Sequence, residues 1–432
     1  MFMKQLKVWL WTALILLPGI ARADLEFTVS SNKTGAQPIA IVPFSSNEGL
    51  PTDVASVIEA DLNRSGLFST LPRGDMLERP DDPSRVDFRN WRAVNMENLV
   101  IGRLNREPGS DRISSRFYLL DVVRGEQLLA FDMPGVAPDQ LRYLAHQIAD
   151  IIFERLTGIR GIFNTKIAYV TSSGFGPQRS YQLVVSDADG FNPRVIASSK
   201  ETLMSPSWSP DRKRLAYVGY ERGRSGVYIH ELATGQVRKL ISEKGINGSP
   251  AWSPDGNRLV LTLSYETNPD IYLFNLQTGA KSRLTDHYGI DTEASFSPDG
   301  QSIVFTSDRG GQPQIYQMSV NGTNVKRLSF EGKQNLDASY SPDGKFLSLV
   351  NLDGGRYRIG ILDLASGNLR VLSDGGLDES PSFAPNGAVI IYATQTKTGA
   401  ELATVTTDGR VKQKIRQSGE VREPSWSPFV SK

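Results

Sequence analysis

The sequence predicts an α/β N-terminal domain followed by an all-β six-bladed propeller, and three observations lead there. A phrase of the form aromatic-Ser-Pro-Asp-Gly returns along the C-terminal two thirds of the chain, with its prolines at 210, 254, 298, 342, 385 and 428. Steps of 43 or 44 residues fall in the range of propellers and solenoids. Each repeat then reads as four short strands, and the residues before the repeats show helical periodicity that the repeats lack.

The phrase stands as Ser207-Trp208-Ser209-Pro210-Asp211, and again around Trp252, Phe296, Tyr340, Phe383 and Trp426. In the second repeat it leads into an alternating strand at 258–263, then 270–275, a Thr-Gly turn at Thr278-Gly279, and 281–284. With the aromatic segment this gives a blade of four antiparallel strands. The last phrase ends at the C-terminus with no strands after it, while 166–171 opens the array with no phrase before it. The two ends therefore complete one blade, and closing the ring leaves no open edge.

In chain order, residues 1–23 read as a secretory signal. Lys4 and Lys7 precede an apolar run over 8–17, Pro18-Gly19 breaks it, and Ala21-Arg22-Ala23 fits a cleavage site. A membrane anchor needs about 20 apolar residues, roughly twice this run. The mature chain is expected to begin at Asp24 in an exported compartment, and to insert no further segment into a membrane. Residues 24–35 alternate through Leu25, Phe27 and Val29. Such a stretch suits either the first strand of the following domain or a strand donated to a partner.

The α/β domain is expected over 24–160, with the propeller over 161–432. Residues 38–44 (PIAIVPF) read as a buried strand. Residues 51–65 read as a helix with Val54, Val57, Ile58 and Leu62 on one face, Thr52 as its cap and Ser65-Gly66 at its end. Segments 98–104, 113–123 and 127–132 alternate as strands. A second helix over 138–156 sets Leu141, Leu144, Ala145, Ile148 and Ile152 in a stripe, and a Gly-containing link over 157–161 follows.

Composition excludes several classes of function. A formal net charge of +1 gives no general attraction to nucleic acid. The chain has no cysteine, which removes disulfides, thiol chemistry and cysteine metal sites. Its three histidines, His146, His230 and His287, lie far apart, so no metal site and no cofactor is expected. Asp81-Asp82 reads as a pair of solvated turn charges, and His146 as a structural or exposed helix residue. The nearest string to a serine nucleophile elbow, Gly223-Arg224-Ser225-Gly226-Val227, lacks the second glycine. The chain is expected not to be an enzyme.

A binding platform remains. With the aromatic strand as A and the next three as B, C and D, the A–B and C–D turns share one face of the ring. The D–A and B–C loops share the other. The turns are near-identical and structural, with Gly256, Gly300 and Gly344 placed for positive φ. The variable, mostly polar loops mark the partner face: Asn247 and Ser249, Asp291, Thr292 and Glu293, Asp337, Asp378 and Glu379, and Arg422. The α/β domain should be tethered on the turn side.

The signal-like start, the PIAIVPF strand, the six phrases and the closing Trp426-Ser427-Pro428 together resemble the TolB family, periplasmic proteins of the Tol-Pal system. The resemblance covers the whole chain. It implies a non-enzymatic scaffold that maintains outer-membrane integrity and assists invagination during division. Its implied partners are the lipoprotein Pal, on a propeller rim containing the nine loop residues just named, and TolA. TolA would be contacted by the N-terminal segment with Asp24, Leu25, Glu26, Phe27, Thr28 and Val29. Bacteriocins could compete for the same rim, and a monomer is expected. Two alternatives of other classes remain: a propeller holding a small ligand or glycan in its channel, which aromatic rim residues would favour, and a peptidase-related propeller.

Overall fold

The strand β1 (Gln37–Ile41) is buried on both faces, with Ile39, Ala40 and Ile41 wholly inaccessible to solvent. In the computed structural model, which describes residues 35–429 apart from 267, 398, 416 and 418, this strand pairs in parallel with β3 (Phe68–Thr70) and β4 (Asn98–Arg106). The signal-like stretch and residues 24–34 lie outside the described residues. Besides β4 the sheet holds β5 (Ile113–Asp121) and β6 (Glu126–Val136) as an antiparallel meander, giving the order β3-β1-β4-β5-β6. A short strand β2 (Ser45–Ser46) also pairs with β4.

Helices α1 (Val54–Arg64) and α3 (Leu141–Thr157) cover one face of the sheet, with Ile39, Ile41, Ile58, Leu62, Leu144 and Ile148 in their shared core. Truncating one fully buried leucine or isoleucine to alanine in such a core costs about 2–5 kcal/mol. The opposite face carries a short helix, α2 (Phe88–Ala93), which sequence periodicity had no room to show in six residues, and Trp91 fills the core there. The cap of α1 is Asp53, one residue later than Thr52: its carboxylate accepts the Ser56 N–H at 3.2 Å. Asp81 and Asp82 are not free turn charges. Both lie within ion-pair distance of Arg103 on β4, and Asp82 also accepts the Ser84 N–H.

Six four-stranded sheets follow, each in the order A-B-C-D from the axis outward. The A strands are Leu203–Trp208, Asn247–Trp252, Asp291–Phe296, Gln334–Tyr340, Asp378–Phe383 and Glu420–Trp426. In blade order these belong to blades one to six. Every interface between neighbouring blades has its own apolar cluster.

The repeated phrase proves to be a blade-to-blade fastener. Trp208 donates its indole N–H to the Ser425 carbonyl at 3.0 Å, and Trp252 donates to the Ser207 carbonyl at 3.1 Å, each reaching the A strand of the preceding blade. In the turn itself, buried Ser253 accepts the Arg258 N–H at 3.0 Å and donates to Asp255. Gly256 takes φ of +70°, as expected. Arg212, at the same place in blade one, adopts φ of +60° despite its side chain.

Blade six closes the ring. Its A strand, Glu420–Trp426, pairs antiparallel with the B strand Lys166–Ser173, and the sheet continues through Ser180–Asp187 and Arg194–Ser199. The Trp426 indole N–H reaches Thr165 Oγ1 at 2.8 Å. The α/β domain docks on the turn side. Asn386, in an A–B turn, donates to the Arg160 carbonyl at 3.0 Å, and Asp189, in the C–D turn of blade six, enters the space beside α1 and α3.

Candidate functional site

Opposite the docked domain, the six A strands converge on a central channel. Each A strand carries a bulge near its start, where the pairing register with strand B shifts. The bulged residues Ser205, Ser249, Glu293, Asp337, Ser380 and Glu423 all have positive φ, between 45° and 54°. Six residues in a conformation that costs non-glycine side chains about 1 kcal/mol or more mark a constraint imposed by the ring. All six line the channel cavity of about 480 Å³.

Four carboxylates line this cavity: Glu293, Asp337, Glu379 and Glu423. Burial pushes the carboxyls of Glu293 and Glu423 up. Burial first, and then the like charges of Glu293, Glu423 and Glu379, push Asp337 well above the usual range. The strained backbone is stapled by the same acids. Glu293 accepts the Asp337 N–H at 2.9 Å and the Thr306 hydroxyl at 2.8 Å, and Glu423 accepts the Ser205 N–H. The bonds from the Asp337 and Ser205 N–H groups each join the bulges of adjacent blades. Arg422, exposed at the same cavity, supplies the opposite charge.

The residues marked by sequence separate into two groups. Ser249, Glu293, Asp337, Glu379 and Arg422 line the channel. Thr292 is half-buried beside them, with its hydroxyl 3.3 Å from that of Thr262. Asn247, Asp291 and Asp378 are buried and turned inward. Asn247 accepts the Glu243 N–H at 2.7 Å and donates to the Glu243 carbonyl at 2.8 Å, pinning its loop. Asp291 is held by Arg309 at 2.7 Å, and Asp378 accepts from the Ser373 hydroxyl and the Gly375 N–H.

The rim is less polar than its sequence suggested. Around the acidic mouth, the D–A loops expose Ile246, Tyr288, Ile290, Phe330 and Leu377, and the B–C loop of blade six exposes Phe175. Tyr288 is 84 % exposed and Phe330 71 %. Large apolar side chains are therefore left in water on this one face of the ring. The signal available beforehand was a lone aromatic residue in an otherwise polar loop, which carries little weight until several loops are seen to share a face.

Sequence spacing also hid one cluster of donor groups. Asp61, His146 and Asp189 bring ligand-type atoms within 4.8 Å of one another between the domains. Arg64 and Arg142 already hold the two carboxylates, so a divalent cation there would face two guanidinium groups. The arrangement is an ion-pair clamp. Among the described residues no helix is long and apolar enough to cross a membrane.

Comparison with known proteins covers both halves of the chain. Residues 25–128 match the model of the TolB amino-terminal domain, and residues 153–430 match that of the TolB beta propeller domain. The chain is 58 % identical over 432 residues to the Tol-Pal system protein TolB of Nitrosococcus oceani, covering 99 % of this chain and 97 % of that one. It is 57 % identical over 420 residues to the protein of the same name from Thioalkalivibrio sulfidiphilus, covering 96 % of each. Its structure is similar to the crystal structure of TolB from Acinetobacter baumannii, with a TM-score of 0.86 and 38 % identity, covering 93 % of this chain and 99 % of that one.

Proposed function

The chain belongs to the TolB family, a scaffold of the Tol-Pal system, and from that membership we propose that it binds two partners in the periplasm and catalyses nothing. The loop face of the propeller grips the lipoprotein Pal, and residues 24–35 are given to TolA. Through these two contacts the protein maintains outer-membrane integrity and assists invagination during division. Bacteriocins that compete for the rim would use the same face.

The observation that carries this reading is the composition of the loop face. An acidic channel mouth is surrounded by exposed Tyr288, Ile290, Phe330, Leu377 and Ile246, while the α/β domain occupies the opposite face. Apolar anchors around a charged centre suit a protein partner, because desolvated aromatic residues carry most of the energy in such interfaces. Asn247, Asp291 and Asp378 contribute by holding the loops in place. A small ligand or glycan fits less well, since the exposed aromatic residues stand on loops of different blades and the channel is lined by carboxylates, serines and prolines.

The test is calorimetric titration of the mature chain with the soluble domain of Pal. Thr292→Arg should abolish binding, and Tyr288→Ala should weaken it by about 30-fold, the equivalent of about 2 kcal/mol. Both variants should keep wild-type thermal stability. Deleting residues 24–35 should remove TolA binding and leave Pal binding measurable. Undiminished Pal binding by both rim variants would rule out this face.

A further inference from the structure

The clamp between the domains holds a histidine in an unusual electrostatic position. Asp189, only 3 % exposed, projects from the C–D turn of blade six towards α1 and α3. Arg142 of α3 donates to its Oδ2, and Nη1 of Arg64 on α1 lies 3.6 Å from the same oxygen. Nη2 of Arg64 also donates to Asp61 Oδ1 at 2.8 Å. Between these groups sits His146 of α3, 97 % buried by the same measure, with Nδ1 2.6 Å from Asp61 Oδ2. Its Nε2 has no hydrogen-bond partner among the described residues and lies 4.0 Å from Asp189 Oδ2.

The charges around the ring come from three elements. Asp61 and Arg64 belong to α1, Arg142 and Asp150 to α3 itself, and Asp187, Asp189 and Lys166 to the propeller. Arg64, Arg142 and Lys166 are matched in number by Asp61, Asp187 and Asp189. Asp150 accepts the N–H groups of Phe163 and Asn164 in the interdomain link at 2.7 and 3.2 Å, and burial pushes its carboxyl up to about 7.

The contact with Asp61 fixes the tautomer of a neutral ring, because a carboxylate accepts the Nδ1 proton. The other nitrogen then points a lone pair at the Asp189 carboxylate in a site sealed from water. A second proton turns that repulsion into a charge-assisted bridge, Asp61–His146–Asp189, spanning both domains. We propose that His146 is a proton-operated latch, which holds the α/β domain against the turn face of blade six when doubly protonated and loosens that contact when it loses the Nε2 proton. Loosening would open the adjoining interdomain cavity, which is lined by Leu67, Phe153, Phe163, Ile415 and Trp426 among others. Trp426 lies on the same strand as Glu423 of the channel, so the latch acts on the blade that also reaches the rim.

The absence of native cysteines allows a clean test. Spin labels placed at exposed Asp111 and Thr278 through Asp111→Cys and Thr278→Cys report the distance between the domains by pulsed electron resonance. In the full mature chain, the ratio of docked to loosened populations should fall at least tenfold between pH 5.5 and 8.5, the change expected from one linked proton. His146→Gln and Asp189→Asn should each remove the dependence. Proton resonances of the three histidines, followed over the same range, keep the test valid if a variant fails to fold: the His146 signal should titrate with the same midpoint as the distance change. A wild-type distribution unchanged with pH would overturn the proposal. So would retention of the full transition in His146→Gln, or its loss in Asp150→Asn alone.

Discussion

Replacing Trp426 by alanine tests whether the C-terminal strand closes the ring. Trp426 is 8 % exposed and packs in the cluster that joins blades five and six, with Ile167, Tyr169, Ile391, Leu402 and Ile415. A buried tryptophan cut to alanine costs about 3–5 kcal/mol through lost packing and the cavity left behind. Losing the bond from its indole N–H to Thr165 Oγ1 is part of that cost, about 1 kcal/mol. Trp426→Phe keeps most of the packing and loses the bond, so about 1–2 kcal/mol is expected. Urea unfolding followed by far-ultraviolet circular dichroism reads the effect. With a slope of about 3 kcal/mol/M, Trp426→Ala should lower the midpoint by roughly 1 M or more for the whole propeller. A small separate transition at low urea, with the main one at its wild-type midpoint, would mean that the strand frays alone and that the other blades do not depend on closure.

Three further outcomes follow from named groups. Burial raises Asp150 to about 7, so its native state holds a proton that the unfolded chain releases near pH 4. The stability present below pH 4 is therefore lost as pH rises towards 7, by on the order of 4 kcal/mol, and Asp150→Asn should be more stable than wild type at pH 8 and equal to it near pH 4 in urea titrations. Glu293 is also raised by burial, so Glu293→Gln, which keeps a carbonyl acceptor for the Asp337 N–H, should increase the urea midpoint at pH 8 and lose that advantage on acidification. Ser253→Ala removes the hydroxyl that ties the second turn together and should cost about 1–2 kcal/mol by thermal unfolding, which blade five tolerates naturally with Ala384.

How much was legible in advance depended on the range of the interactions involved. The number of blades, the four strands in each and the joining of the two ends were fixed by local patterns: a repeated turn phrase, alternation with period two, and an incomplete repeat at either end. The near-identical turns demanded nothing from distant residues, and Gly256, Gly300 and Gly344 took the positive φ their turns require. Helices α1 and α3 were legible for the same reason, because their apolar stripes are properties of consecutive residues.

What only the tertiary structure decided was the direction of side chains and the meeting of distant ones. Alternation along Asp291-Thr292-Glu293 does not reveal that Asp291 is buried while Glu293 turns to the channel, because Glu293 sits in the bulge where the register with strand B shifts. The apolar rim exists only because loops from separate blades share a face. Asp61, His146 and Asp189 become a clamp because two helices meet a propeller turn across a domain interface. Sequence spacing records strand and helix periods, whereas the closeness of groups 85 residues apart, as Asp61 and His146 are, is a product of folding alone.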